Sequence, residues 1–188
     1  MRPRAPALAL LLLAACSSVP ATRFYVLEPA GEAAAPASKP IAVNVGPVDL
    51  AESLDRPWIL RRLGAHEVDF DESARWGEPL AAGVARVLAE DLARALGTER
   101  VGLVPGLEEP EVGWRVTAQV LRFEVDGEEA VLEARWRLIA PGASEALVTR
   151  RTESRAHIDG EDVDAAVSAL SDCLADLAHE VAKAIAEG

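Results

Sequence analysis

The stretch from residue 113 to 139, GWRVTAQVLRFEVDGEEAVLEARWRLI, decides the fold of this chain. Along its first half, apolar and polar side chains alternate, which is typical of a strand with one buried face. A turn at Asp126-Gly127 separates this run from a second one at 130–139, and a third run follows at 145–158. Alternating runs separated by glycine-containing turns favour hairpins. The sequence therefore predicts an antiparallel meander of three long strands.

Two segments with helical periodicity flank the predicted meander. From Leu80 to Leu96, apolar side chains recur with helical spacing, and Gly97 supplies a stop signal. A second apolar stripe runs from Val163 to Ile185. Each predicted helix is apolar on one face only, so each packs on the sheet with that face. The predicted fold class is α/β in an α+β-like form: a mixed, largely antiparallel sheet flanked by two long amphipathic helices.

Shorter runs predict the remaining strands. Residues 41–45 alternate and are ended by a Gly-Pro pair at 46–47. Residues 58–62 and 66–70 predict a hairpin around a glycine, and residues 100–104 predict a short buried strand. Residues 75–79, RWGEP, predict the loop that starts the first helix, because proline is tolerated in the first helical turn.

The segment Leu13-Ala14-Ala15-Cys16 ends a short apolar run and fits the bacterial lipobox, in which a branched apolar residue and two small residues precede a cysteine. The alternative is that Cys16 belongs to an ordinary signal peptide or to a membrane helix. The apolar run 5–15 is far shorter than the roughly twenty residues that span a bilayer. We therefore predict that residues 1–15 are removed as a signal peptide and that Cys16 carries a covalent lipid.

The lipobox sets the predicted domain organisation. After the signal peptide, residues 16–38 predict a lipidated tether, since they are rich in alanine, proline and other residues that break regular structure. An aromatic and β-branched run at 23–27 predicts a short strand within it. Residues 39–188 form the predicted single domain. Serine, not aspartate, follows Cys16, which favours the outer membrane over the inner one.

The charge of the chain excludes one class of partner. Its 188 residues include 19 basic and 31 acidic ones, for a net charge of -12. Such a surface repels nucleic-acid phosphates and gains nothing from an anionic bilayer surface. The chain has two cysteines, so acylation of Cys16 leaves Cys173 without a disulfide partner. Cys173 lies in the apolar stripe of the last helix, which favours a buried, inert thiol.

The sequence contains none of the common catalytic motifs. G-x-S-x-G, H-E-x-x-H, C-x-x-C and a glycine-rich phosphate loop are all absent. The three histidines lie in separate segments, with His66 and His157 in predicted strands and His179 off the stripe of the last helix. The acidic runs 69–72 and 161–164 lack calcium-loop spacing and are interpreted as a solvated loop and a helix start. We predict a protein that is not an enzyme and has no cofactor beyond the lipid on Cys16.

Two short segments place an arginine close to a tryptophan. They are LDRP at 54–57, which is followed by Trp58, and RWGEP at 75–79. One interpretation is that Arg56 or Arg75 pairs with a nearby carboxylate and locks a loop against the sheet. The other is that these loops form a contact surface for a partner protein, because tryptophan and arginine are favoured interface anchors. The residues assigned to that surface are Asp55, Arg56, Trp58, Arg75 and Trp76.

These segments also carry a resemblance to a known family. The matching residues are VGPV at 45–48 with LDRP at 54–57, ARWGEPL at 74–80 leading into RVLAEDL at 86–92, and RFE at 122–124 with ARW at 134–136. In this order, and behind a lipobox, they resemble the PqiC-type auxiliary lipoproteins of ABC-type and Mce-type transport systems (the paraquat-inducible protein C family). The resemblance covers nearly the whole mature chain.

The resemblance implies a non-enzymatic lipoprotein of the outer membrane that faces the periplasm. It implies a Mce-domain periplasmic protein and inner-membrane transporter subunits as partners, assembly into a homo-oligomeric ring, and a role in moving lipids between membranes and supporting envelope integrity. The alternative is a stand-alone envelope lipoprotein that binds lipid or peptidoglycan in a groove between helix and sheet.

Overall fold

The computed structural model describes residues 21–39, 41–106 and 112–188, so the predicted signal peptide and Cys16 lie outside the described residues. The described elements, in chain order, are β1 (Arg23–Tyr25), β2 (Val43–Leu50), β3 (Trp58–Arg62), β4 (Val68–Trp76), α1 (Leu80–Leu96), β5 (Val101–Leu103), β6 (Trp114–Asp126), β7 (Glu129–Ile139), β8 (Val148–His157) and α2 (Val163–Glu187). This arrangement of strands and two long helices confirms the predicted fold class.

The sheet divides at β6. One edge of β6 pairs antiparallel with β7, and β7 pairs antiparallel with β8, which confirms the predicted meander. The other edge is shared by two parallel partners: β2 pairs with the first half of β6, and β3 pairs with its last two residues. Strand β5 extends the first branch, and β4 followed by β1 extends the second. The sheet is therefore mixed, with its longest pairings antiparallel.

Both helices lie on one face of this sheet. Helix α1 packs on β2 and β5, helix α2 packs on β6, β7 and β8, and the two helices pack against each other. The predicted stripe of α2 is its buried side, with Leu170, Leu174 and Leu177 fully buried. Gly97 ends α1 with a φ of 59°, as predicted, since glycine adopts this conformation without a Cβ clash. The other side of the sheet is called here the helix-free face.

The sequence predicted that strand β2 ends at Gly46-Pro47, and this prediction was wrong. The strand continues to Leu50 through a register shift between Val45 and Val48 in its pairing with β6. Gly46 has a φ of 122°, and a Cβ there would collide with the carbonyl oxygen of Val104, the residue that follows β5. An irregularity of this kind accommodates a proline that has no N–H to donate, so the strand bends and goes on.

Strand β4 also differs from its predicted bounds. It spans Val68–Trp76 where 66–70 was predicted, and His66 lies in the preceding turn. Arg75 and Trp76, predicted in a loop before α1, are its last residues, because β1 pairs with this end of the strand. The acidic run 69–72 is therefore part of a strand and not a solvated loop.

Two further strands differ from prediction in smaller ways. Strand β5 was predicted to be buried, but Leu103 is 37% exposed, because β5 is the outer strand of its branch and pairs on one side only within the described sheet. Strand β8 begins at Val148, later than the predicted 145, and ends at His157.

Residues 27–37, called here the strap, run from the end of β1 across the helices. Leu27 is buried in the core, and Arg86 Nη2 donates a 2.7 Å hydrogen bond to its carbonyl oxygen. Gly31 N donates a 2.8 Å hydrogen bond to Asp91 Oδ1 on α1. These contacts tie the first half of the strap to helix α1.

The strap also contacts α2 and the end of α1. Glu28 N donates to Ser171 Oγ on α2, and Ala34 N donates to the carbonyl oxygen of Arg94. The structure thus differs from the prediction that residues 16–38 are a tether, because the strap is packed on the folded domain. The sequence missed this because short apolar residues in a proline-rich segment give no periodic signal.

Asp91 holds the strap at an electrostatic cost. Its side chain is 1% exposed, and Oδ2 has no hydrogen-bond partner among the described residues. Burial raises the pKa of Asp91, and the hydrogen bond from Gly31 and the charge of Arg94 offset this only in part. The fold therefore buries an acidic side chain whose hydrogen bond comes from the backbone of the strap.

Candidate partner-binding surface

Trp58 and Arg75, two residues assigned to the predicted contact surface, lie opposite each other on β3 and β4. The guanidinium carbon of Arg75 is 5.4 Å from the centroid of the Trp58 ring, which is within cation–π range. Phe70 adds a second ring, with its centroid 6.0 Å from that of Trp58. Because these residues come from two strands, their proximity depends on the strand register.

Strand β1 adds a fourth side chain to this group. Its parallel pairing places Phe24 opposite Arg75, and Phe24 is 69% exposed. We call Phe24, Trp58, Phe70 and Arg75 the aromatic cluster. Sequence analysis did not assign Phe24 or Phe70 to a site. The only available signal was an aromatic residue in each of two short strand-like runs, which is equally typical of core strands.

Two N–H groups of the aromatic cluster are buried without an acceptor among the described residues, namely Trp58 Nε1 and Arg75 Nε. A buried donor that lacks an acceptor costs about 1–3 kcal/mol. Indole and guanidinium groups are the side chains most enriched at interface hot spots.

The other three assigned residues lie outside the cluster itself. Asp55 and Arg56 are exposed in the loop before β3, and they line a shallow depression with Trp76 and the start of α1. Trp76 itself is only 8% exposed, and its ring centroid is 6.1 Å from that of Phe123 in the core. Trp76 is therefore mainly a packing residue.

The alternative interpretation, in which Arg56 or Arg75 locks a loop through an ion pair, does not match the structure. Within the described ranges neither guanidinium lies within ion-pair distance of a carboxylate. Arg75 stacks on an indole ring instead.

Ion pairing on the helix-free face is centred on Glu124. Arg62 Nε and Nη2 donate to its two carboxylate oxygens at 2.7 and 3.0 Å, and Arg122 Nε donates to Oε1 at 2.7 Å. Burial alone would raise the pKa of Glu124, which is 1% exposed, but these hydrogen bonds and charges outweigh it and hold the pKa below its usual value. Trp58 and Arg62 are four residues apart in β3, so their side chains point to the same side of the strand. The aromatic cluster therefore lies on the same face of the sheet as the Glu124 ion pairs.

The far part of the helix-free face is basic. Arg115, Arg135 and Arg137 are exposed on β6 and β7, and none of them forms an ion pair with another described residue. The chain as a whole has a net charge of -12. This face is therefore locally positive on an acidic protein, which favours an acidic partner surface.

The three histidines are not brought together in the described part of the structure. His66, His157 and His179 lie in a turn, at the end of β8 and on α2. No set of three or more metal-ligand side chains within the described ranges has the geometry to hold a metal ion. Among the described helices, none combines the length and hydropathy needed to cross a bilayer.

Cys173 is fully buried in α2, which confirms the prediction of a buried thiol. Burial raises its pKa to about 11. Its Sγ donates a 3.5 Å hydrogen bond to the carbonyl oxygen of Ala130. Since the thiolate is the reactive form, such a thiol is inert at neutral pH.

The chain was compared with known proteins. No curated protein matches it. A solved structure described as an uncharacterized protein superimposes with a TM-score of 0.71 at 15% identity, covering 88% of this chain and 99% of that one. A Xanthomonas campestris protein of family DUF330 superimposes with a TM-score of 0.70 at 17% identity, covering 86% and 93%. At these identities the likeness shows a shared fold.

The family comparison covers most of the chain. A family model described as the ABC-type transport auxiliary lipoprotein component matches residues 25–182, which include every described strand from β2 to β8 and most of α2. This match confirms the resemblance to PqiC-type auxiliary lipoproteins. The chain belongs to the family of ABC-type transport auxiliary lipoprotein components.

Proposed function

We propose that this protein is a non-enzymatic outer-membrane lipoprotein that docks a Mce/ABC-type intermembrane lipid transport system and supports envelope integrity. The family membership supports a transport-associated lipoprotein without a catalytic role. The Mce-domain periplasmic protein and the inner-membrane transporter subunits are the proposed partners. No nucleic acid takes part.

The observation that carries the docking proposal is the stacking of Arg75 on the Trp58 ring at half-buried positions of β3 and β4. Both residues are half-buried, and an indole ring and a guanidinium group are the side chains most enriched at interface hot spots. Asp55 and Arg56 flank β3 and form the rim of the proposed contact. Such a centre with a polar rim is the usual anatomy of a protein interface.

The docking test uses a Mce-domain periplasmic protein from the same organism and the full-length lipoprotein in detergent. We expect Trp58→Ala and Arg75→Ala each to weaken binding by about thirtyfold, which corresponds to an interface hot spot of about 2 kcal/mol. Arg155→Ala is the matched control, because Arg155 is an exposed arginine of β8. Thermal melting of each variant separates lost folding from lost affinity. Unchanged affinity per folded molecule would refute this docking surface.

The anchoring proposal rests on Cys16 and is tested separately. Metabolic labelling with a fatty-acid probe is expected to mark the wild-type protein and not Cys16→Ala. Sucrose-gradient fractionation of the labelled cells is expected to place the wild-type protein with the outer membrane. An unlabelled wild-type product would refute the anchor, and co-migration with the inner membrane would refute the location.

The proposed ring is tested by the mass of the purified protein in solution. Light scattering of the lipoprotein without its acyl chains is expected to give a multiple of the 19.9 kDa chain, corrected for the removed leader. A monomer at all accessible concentrations would refute the ring.

One observation favours the alternative function, a stand-alone lipid- or peptidoglycan-binding lipoprotein. A cleft of about 460 Å³ lies between the start of α2 and the sheet, with Ile59, Val125, Ile158 and Val163 among its lining residues. This volume is within the range of small-molecule sites. Copurification of lipid with the delipidated protein, lost on Ile158→Trp, would support this alternative over the adaptor.

A further inference from the structure

The strap fixes where the anchored end of the chain leaves the domain. It is held by hydrogen bonds to Arg86 and Asp91 of α1 and to Ser171 of α2, and Leu27 is buried beneath it. Strand β1, just before the strap, is paired with β4 in the sheet. The chain therefore becomes part of the rigid domain at Arg23 and not at residue 39, as the predicted tether implied.

The remaining link to the lipid is short. Eight residue steps separate Cys16 from Phe24, and even a fully extended chain covers no more than about 29 Å over eight steps. A compact chain of 188 residues has a diameter of about 40 Å. If Cys16 is acylated, the pole of the domain opposite β1 is thus out of reach of the membrane, and the β1 edge is held beside it.

This edge exposes apolar side chains. Phe24 is 69% exposed and Val26 is 46% exposed, whereas Tyr25 between them points toward the core. Side chains two residues apart in an extended chain share one side, so Phe24 and Val26 project together from the helix-free face, at its β1 edge. Arg23, also exposed, adds a positive charge to this edge of the sheet.

A lipid surface fits this edge. Exposed apolar side chains gain free energy on entering the headgroup region, about 25 cal/mol for each Å² removed from water. A guanidinium group pairs well with lipid phosphates. We propose that the β1 edge rests on the membrane that holds the acyl chains, with Phe24 and Val26 inserted between headgroups. This inference depends on the proposed lipid attachment at Cys16.

The contact has a consequence for docking. Strands β1, β4 and β3 are consecutive in the sheet, so Trp58 lies about 10 Å from β1, or two strand spacings. A partner that binds Trp58 and Arg75 therefore approaches at the level of the membrane surface. The helix-free face stands at an angle to the bilayer instead of lying on it.

The experiment places a fluorescent probe at one defined position of the full-length acylated protein. Phe24→Cys and, as a matched control, Leu147→Cys are labelled with the environment-sensitive dye NBD. Leu147 is likewise an exposed apolar residue, at 56%, and it precedes β8, the strand five spacings from β1. The native Cys173 is fully buried and does not take the dye, and an acylated Cys16 has no free thiol.

The labelled proteins are reconstituted into vesicles of phosphatidylethanolamine and phosphatidylglycerol that contain a nitroxide-labelled phospholipid. We expect the probe at residue 24 to shift its emission to the blue and to lose most of its intensity to the nitroxide. The probe at residue 147 is expected to keep the emission that it has in water.

Intact mass and vesicle flotation are measured on the same samples, so that the two proposals fail in different ways. An acylated, vesicle-bound protein whose probe at residue 24 remains unquenched overturns the edge contact and leaves the anchor standing. A protein that is neither acylated nor bound to vesicles overturns both. Equal quenching at residues 24 and 147 overturns the proposed orientation.

Discussion

The two faces of strand β7 differ in what they contribute. Toward the helices it presents Leu132, Trp136 and Leu138, all of which are fully buried. Toward the helix-free face it presents Arg135 and Arg137, which are exposed. Because successive side chains of a strand point to opposite sides, one short sequence specifies both faces. The comparison teaches that the helix side of the strand carries the hydrophobic packing, whereas the helix-free side combines the buried Val131 and Glu133 with two arginines that are available for recognition.

The largest effect is expected on the helix side. We expect Trp136→Ala to lower the free energy of unfolding by about 3–5 kcal/mol, because it opens a cavity in the core. It also removes the 2.9 Å hydrogen bond that Trp136 Nε1 donates to Thr152 Oγ1. Urea unfolding measures the change. The neighbouring Arg137→Ala is the control and is expected to stay within about 0.5 kcal/mol of wild type. Equal losses in both variants would break the comparison.

A second prediction concerns the buried acid of the helix-free face. We expect Glu124→Gln to lower stability at pH 7 by about 1–3 kcal/mol, since it weakens the charge-assisted hydrogen bonds from Arg62 and Arg122. The folded-state pKa of Glu124 lies below its ordinary value of 4.5. Its stabilisation is therefore present above pH 4.5 and is lost as the pH falls through the folded-state pKa. Denaturation curves over this pH range check both statements. A stability difference between Glu124→Gln and wild type that stays constant below pH 4.5 would contradict the predicted pH dependence.

Asp91, the buried acid on the helix side, is expected to behave in the opposite way and with a smaller effect. Its folded-state pKa lies above the ordinary value of 3.8, so its ionised form destabilises the fold at neutral pH. We expect Asp91→Asn to melt at a higher temperature than wild type at pH 7, with the difference shrinking as the pH falls toward 3.8. Glu180→Gln, at an exposed position of α2, is the control for a general loss of negative charge. A lower melting temperature for Asp91→Asn at pH 7 would show that the charge is needed to hold the strap.

The smallest effect on stability is expected in the aromatic cluster. We expect Arg75→Ala to lower the free energy of unfolding by about 0.5–1 kcal/mol, the contribution of one half-buried cation–π contact. Its larger effect is expected in partner binding, as described above. Calorimetry of the purified variant and of wild type gives the change in the free energy of unfolding. A loss comparable to that of Trp136→Ala would assign Arg75 to the fold and not to recognition.

The sequence predicted the elements that depend on local periodicity. Alternation along residues 113–139 and the apolar stripes of the two helices were sufficient, because each pattern repeats within one element. The stop at Gly97 followed from the same local chemistry. Errors occurred where a partner strand decided the outcome: β2 continues past Gly46-Pro47 because β6 pairs on both sides of the irregularity, and β4 extends to Trp76 because β1 pairs there.

The candidate site was only partly visible in the sequence. Trp58 and Arg75 were selected for their residue types, and the structure places them in contact. Trp76 was selected for the same reason and is buried, because the strand alternation turns it away from Arg75 toward the core. Phe24 and Phe70 were not selected, since nothing in a single strand shows which side chain lies opposite it.

By itself, the sequence determined the meander, the two amphipathic helices and the family, because all three are carried by patterns of neighbouring residues. Only the tertiary structure decided that the sheet divides at β6, that the strap packs on the helices, and that an aromatic cluster forms on the helix-free face. The physical reason is that hydrogen-bonded register joins residues far apart in the chain. Residue types and spacing within one segment do not encode that register.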